Sequence, residues 1–177
     1  AIYVTHDLAV VAQIADHIVV LYNGEIKEAG PVETIINKSE HPYTTRLMGA
    51  IRPLPEAGQG EISNHEHMRD APALEAKAVD AGYGKGAEGK PKTMVLRDVN
   101  VAIERGKTVG IIGESGCGKS TLARVFAGLL PPSDGELKLD GEPIAPDLRQ
   151  RSREELRKVQ FVYQMADTAL NPRQRIK

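Results

Sequence analysis

Val109-Gly110-Ile111-Ile112-Gly113-Glu114-Ser115-Gly116-Cys117-Gly118-Lys119-Ser120 is the stretch on which the reading of this 177-residue chain turns. Val109 to Ile112 reads as an apolar strand. The next eight residues fit Gly-x-x-x-x-Gly-Lys-Ser. From Ser120 to Leu130 the residues Leu122, Val125, Phe126, Leu129 and Leu130 follow helical spacing. Strand, glycine loop and helix in that order is an α/β arrangement. The pattern fixes four positions, so a chance match in a chain of this length is on the order of one per cent.

The chemistry explains the residue types. Glycines let a backbone wrap closely round a phosphate, with successive N–H groups and the start of the following helix turned toward negative charge. Lys119 is placed to reach the β- and γ-phosphates as a compact cation, the Ser120 hydroxyl to ligate Mg²⁺, and Thr121 to touch the α-phosphate. Gly113, Glu114, Ser115, Gly116, Cys117, Gly118, Lys119, Ser120 and Thr121 are therefore the expected cradle of a nucleoside triphosphate with Mg²⁺.

Bulk properties fit one folded unit with a real core. The chain is 41% hydrophobic and 27% charged, as soluble globular proteins are. A formal net charge of -1 supplies no long-range field toward nucleic acid or an anionic bilayer. No apolar run approaches the roughly 20 residues of a membrane span, and no secretory leader pattern is present, so a soluble, cytosolic chain is expected. The single cysteine, Cys117, excludes an internal disulfide and reads as a small loop residue.

Outward from the loop, Ala1 to Thr5 reads as a strand already running at the first residue. Asp7 can cap a helix with Leu8, Val11, Ala12 and Ala15 on one face. Ile18 to Tyr22 and Glu25 to Ala29 read as a hairpin turned at Asn23-Gly24, ended by Gly30-Pro31 and followed by a short helix over Val32 to Asn37. From Arg52 to about Ala73 the sequence becomes rich in proline and glycine without periodicity, which marks a linker. His65 and His67 lie in it as solvated residues, off the His-Glu-x-x-His spacing. Strands are expected at Val95 to Ile103, Thr108 to Ile112 and Glu136 to Leu139. A helix over Arg151 to Lys158 carries Arg151, Arg153, Glu154, Glu155, Arg157 and Lys158, a mixed-sign and hence solvated face.

The glycine loop alone leaves kinases, GTPases and transport ATPases open. The flanks are more selective. Val-Asp-Ala-Gly-Tyr-Gly-Lys from Val79, with Val95-Leu96-Arg97-Asp98-Val99-Asn100, resembles the opening of an ABC-type ATPase domain. Val159 to Arg173, ending Ala169-Leu170-Asn171-Pro172-Arg173, resembles that family's Q-loop. Ile2-Tyr3-Val4-Thr5-His6-Asp7-Leu8, with Ala15-Asp16-His17-Ile18 and Leu21-Tyr22-Asn23-Gly24-Glu25-Ile26, resembles its switch-histidine region. His41-Pro42-Tyr43-Thr44 to Ile51-Arg52-Pro53-Leu54 resembles the C-terminal extension of its dipeptide and oligopeptide importers. The resemblance implies that Tyr83 stacks on adenine, that Gln164 serves Mg²⁺ and the attacking water, and that His6 holds the γ-phosphate and that water.

In one such domain the switch histidine comes last; here it comes first. No Leu-Ser-Gly-Gly-Gln and no apolar strand ending in Asp-Glu occurs. The resemblance therefore implies a fragment of a tandem protein: residues 1–51 the tail of a first ATPase domain, 52–73 a linker, and 74–177 the head of a second. The expected fold is α/β, with partial P-loop NTPase elements from two domains and a mixed sheet with flanking helices.

On this reading His6 serves one domain's ATP and Lys119 with Gln164 serve the other's, so they are not expected to meet in one site. The implied parent is an ATP-hydrolysing importer subunit on the cytoplasmic face of the inner membrane. It would work with transmembrane permease subunits, a second ATPase domain in the same parent chain and, indirectly, a periplasmic or extracellular solute-binding protein, and with no nucleic acid. The chain alone is expected to be nearly inactive. The alternatives are a non-transport P-loop ATPase or kinase, or a nucleotide-binding module without catalysis.

Overall fold

The computed structural model describes residues 1–5, 8–49, 71–86 and 90–163. His6, Asp7, the body of the linker at 51–70, Gln164 and the stretch Ala169 to Arg173 lie outside the described residues.

The leading residues form strand β1 (Ile2–Val4), helix α1 (Leu8–Ile14), strands β2 (His17–Tyr22) and β3 (Glu25–Pro31), and helices α2 (Val32–Lys38) and α3 (Pro42–Gly49). Beyond the linker come β4 (Leu74–Lys85), β5 (Pro91–Ile103), β6 (Val109–Ile112), helix α4 (Lys119–Phe126), β7 (Asp134–Leu139), β8 (Glu142–Pro143) and helix α5 (Arg153–Lys158), with a 3-10 turn at Leu148–Gln150. The fold is mixed α/β with flanking helices, as expected.

Two four-stranded sheets organise these elements. One has the order β1-β6-β2-β3, the other β5-β4-β7-β8. In the first, β6 runs parallel to β1 on one edge and to β2 on the other, with Tyr3 and Ile18 both opposite Gly110. All four residues of β6 are buried, which suits a parallel strand covered on both faces. The second sheet is antiparallel throughout.

The alternation of side chains sorts the core into two layers. Val19 and Leu21 of β2 and Val109 and Ile111 of β6 face the second sheet and α4, packing with Val79, Ala81, Leu96, Leu122 and Val125. Ile18, Val20 and Ile112 face the other way, against Val11, Ile35, Tyr43 and Met48 of the helices. Gly110 sits on this helix-bearing face of β6. A Cβ there would meet Val11 Cγ1 at 2.6 Å and Ala15 Cβ at 3.3 Å, so α1 lies on the strand as closely as it does because position 110 has no side chain.

The parallel pairing joins the leading and trailing stretches of this chain in one sheet, and Thr5 donates its N–H to Ile111 O at 3.3 Å. A strand buried on both faces needs partners along both edges for its N–H and C=O groups, and β1 and β2 supply them.

Local readings are adjusted as well. The Asn23-Gly24 turn is present with φ of 51° and 81°, but β3 runs on to Pro31. α4 ends at Phe126, because Gly128 at φ 73° turns the chain away; Leu129 is left 43% exposed. α5 starts at Arg153, where Ser152 accepts from Glu155 N–H and the Glu155 carboxylate accepts from Ser152 N–H, a capping box that excludes Arg151 from the helix. Strand β4 and helix α3 had no counterpart in the sequence reading.

Replacing Gly110 with alanine is expected to lower the unfolding free energy by about 1–3 kcal/mol through overpacking. Urea denaturation measures this, and the loss should be smaller in a Val11→Ala background, where the clashing methyl is gone.

Candidate functional site

The site grows from the end of β6. Gly113 is buried at φ 151°, and a Cβ on it would lie 2.0 Å from Leu21 O and 2.7 Å from Cys117 Sγ. Only hydrogen fits. Gly118, at φ 110°, caps the start of α4. A Cβ there would meet Leu96 Cδ2 at 2.8 Å, so the loop is pressed against β2 on one side and β5 on the other. Between these two pinched points Glu114, Ser115 and Gly116 are exposed, and a Cβ at Gly116 would find open space. The loop is thus anchored at both ends and open at its crown, a shape suited to taking a phosphate against backbone.

Lys119 lies folded over the loop. Its Nζ donates to Gly113 O at 2.9 Å and Glu114 O at 2.8 Å and lies 3.7 Å from Cys117 Sγ. The ammonium is held by carbonyls of the loop itself, with no carboxylate paired to it among the described residues. Ser120 is exposed in the first turn of α4, while Thr121 is buried beside it. The residue types and placements fit a Mg²⁺-nucleotide: a cationic amine, an open hydroxyl and a cradle that no side chain fills. Among the described residues no group of three or more histidine, cysteine or acidic side chains could hold a metal by itself.

Tyr83, on β4, stands beside the same helix. Its hydroxyl lies 3.3 Å from Thr121 Oγ1 and accepts from Arg124 Nη1 at 3.1 Å, and the residue is 39% exposed. The structure therefore brings Tyr83 to the cradle from 38 residues away. His6 and Gln164 lie outside the described residues, so only the cradle and Tyr83 are seen together.

Several contacts on the loop and on the strand before it come from distant residues of the leading stretch. Gly24 donates its N–H to Cys117 O at 2.9 Å and accepts at its own oxygen from Arg97 N–H at 3.0 Å. Tyr43 Oη of α3 accepts from Glu114 N–H at 3.1 Å. Asp16 accepts from Thr108 N–H at 2.6 Å, and the Asp16 and His17 N–H groups donate to Thr108 O, which pins the start of β6. No local pattern could have shown these roles, since each partner lies more than 70 residues away along the chain.

The far end of α4 is held by a charge. Arg151 is only 6% exposed, so the expected solvated position is corrected. Its Nη1 donates to Phe126 O and its Nε to Ala145 O, both at 2.8 Å. A cation at the C-terminal end of a helix complements the helix dipole. Burial lowers the guanidinium pKa and nearby Glu155 opposes that shift.

Glu28 performs a similar service for α3. Its carboxylate accepts from Glu40 N–H at 2.9 Å and His41 N–H at 3.2 Å. Burial pushes its pKa up, but these N–H groups, together with the nearby Thr44 and His41 side chains, more than offset that and hold it below the ordinary carboxylate value.

Comparison with known proteins places these features in context. Residues 96–177 match the family described as ABC transporter. The chain is 33% identical over 209 residues to the glutathione import ATP-binding protein GsiA of Escherichia coli (strain K12), covering 99% of this chain and 32% of that protein. The GsiA of Shigella flexneri serotype 5b (strain 8401) is 32% identical over the same spans. Among solved structures, cbiO1 from Clostridium perfringens, described as part of the ABC transporter complex cbiONQ, is 32% identical over 51% of this chain and 32% of its own, with a TM-score of 0.40. The chain spans about a third of the length of the curated relatives it matches.

A carboxylate with a depressed folded pKa contributes stability above its unfolded value, near 4.3, and loses it as pH falls through the folded pKa. The stability advantage of the unaltered chain over Glu28→Gln should therefore be full above about pH 5 and shrink below that. Urea titrations at stepped pH read the difference directly.

Proposed function

We propose, from the match of residues 96–177 to the ABC transporter family, that this chain carries an ATP-binding half-site of an importer ATPase. The observation that carries the proposal is the Lys119 ammonium lying over a loop pinched at Gly113 and Gly118 and open between them, directly after a buried parallel strand. On this reading an arriving triphosphate joins Gly113 O as a partner of the ammonium. Loop N–H groups and the start of α4 then face the phosphate oxygens. Tyr83 lies at the adenine end, the Thr121 hydroxyl near the α-phosphate, and the Ser120 hydroxyl toward Mg²⁺. Bound Mg²⁺ supplies charge neutralisation on the β- and γ-phosphates. Gln164 serves the same metal and the attacking water, while His6 serves the γ-phosphate of the ATP held by the first domain.

The parent protein then hydrolyses ATP and passes the resulting domain motion to transmembrane permease subunits at the cytoplasmic face of the inner membrane. A second ATPase domain in the same parent chain completes the machinery, and a solute-binding protein outside the membrane delivers the cargo. Residues 1–51, 52–73 and 74–177 are the tail of one domain, a linker and the head of the next. The cargo class is dipeptides, oligopeptides or related solutes, supported by the stretch from His41 to Leu54 and by the similarity to proteins named for glutathione import. Among the described residues no helix is long and apolar enough to cross a membrane, which suits a peripheral subunit.

Phosphoryl transfer draws most of its rate from positioned charge, and this chain has no apolar strand ending in Asp-Glu. Isothermal titration should show ATP binding that Lys119→Ala weakens about tenfold or more, the loss of a charge-assisted contact. Equal affinities would remove the loop from the account. Steady-state phosphate release by the 177-residue chain should stay near background; turnover that Lys119→Ala abolishes would overturn the half-site reading.

A further inference from the structure

The peptide unit between Gly113 and Glu114 is gripped on both of its polar faces. Its carbonyl, Gly113 O, accepts from Lys119 Nζ at 2.9 Å. Its amide, Glu114 N–H, donates to Tyr43 Oη at 3.1 Å. A trans peptide is planar with N–H and C=O pointing opposite ways, so fixing the direction of the amide fixes the direction of the carbonyl. The phenol of α3 therefore sets where the carbonyl that receives the Lys119 ammonium stands, across 71 residues of chain.

Tyr43 is itself tightly held. It is 6% exposed and belongs to the helix-side core with Ile18, Ile35 and Ile112. Its ring centroid lies 4.3 Å from that of Tyr22, tilted 36°, and the Arg46 guanidinium carbon lies 5.9 Å from the ring centre. Its own N–H donates to His41 Nδ1 at 3.1 Å, and the turn leading into α3 is fastened by Glu28. A side chain so placed has little freedom to swing away from the loop. Glu114 is by contrast exposed, so its amide would otherwise be left to water.

We infer that Tyr43 is a positioning residue for the nucleotide cradle: its hydroxyl orients the Gly113–Glu114 peptide and, through that peptide's carbonyl, presets Lys119 for the triphosphate. This rests on the reading of the loop as an ATP site and adds a control point outside the loop, in helix α3. Any movement of α3 is thereby coupled to the direction of the loop's first peptide.

The test is a double-mutant cycle on the 177-residue chain, with ATP affinity from isothermal titration for the unaltered protein, Tyr43→Phe, Lys119→Ala and the double variant. Tyr43→Phe keeps the ring and its stacking on Tyr22 and removes only the acceptor. It should weaken ATP roughly two- to tenfold, the span of one hydrogen bond, and should have no further effect once Lys119 is alanine. Equal losses in both backgrounds, or none in either, overturn the inference while leaving the loop reading intact. If Lys119→Ala fails to weaken ATP, or the unaltered chain does not bind it, the loop reading falls and takes this inference with it. Hydrogen exchange in the unaltered chain tests the contact without any variant: the Glu114 amide should be protected despite its exposed side chain, and exchange at the rate of an open loop would overturn the inference.

Discussion

Everything in this structure is arranged around the backbone of β6. Four consecutive residues buried on both faces have N–H and C=O groups that water cannot reach, and each unmade hydrogen bond there would cost on the order of 1–3 kcal/mol. Parallel partners on both edges remove that cost. Because one partner is β1 and the other β2, the chain's first residues become part of the framework that carries the glycine loop. The loop emerges from a strand that cannot shift without breaking two ladders.

That constraint propagates outward in both directions. Toward the helices, Gly110 lets α1 settle on the strand, and the layer it completes includes Tyr43, whose hydroxyl returns to the loop at Glu114. Toward the second sheet, Leu96, Leu122 and Val125 lock α4 beneath the loop, while Gly24 reaches Cys117 O from the β2–β3 turn. At the far end of α4, Arg151 gathers Phe126 O and Ala145 O. The helix that follows the loop is therefore held at its start by packing and at its end by a buried charge, and the crown of the loop at Glu114, Ser115 and Gly116 is left open.

The relation between sequence and structure is clearest residue by residue. The cradle was legible because it depends on local spacing alone: an apolar run, glycines at set intervals, then Lys119 and Ser120. The Asn23-Gly24 turn was legible for the same reason. α4 was read too long because Leu129 and Leu130 continue the apolar rhythm, whereas Gly128 ends the helix by its backbone angle. Arg151 was read as solvated because its neighbours carry mixed charges, but the capping box at Ser152 starts α5 two residues later and turns Arg151 inward. α3 was missed because a helix opened by a proline and holding few apolar residues gives a weak period; its burial comes from packing under the first sheet.

By itself the sequence determined the mixed α/β class and the glycine-rich loop set between an apolar strand and a helix, since both live in short-range patterns of size, charge and backbone freedom. Only the tertiary structure decided that β6 lies between β1 and β2, that Tyr83 reaches Thr121 and Arg124, and that Tyr43 holds the amide of Glu114. Those are pairings between groups dozens of residues apart, and what selects them is the need of buried backbone and polar groups for partners, a condition that exists only once the chain has folded.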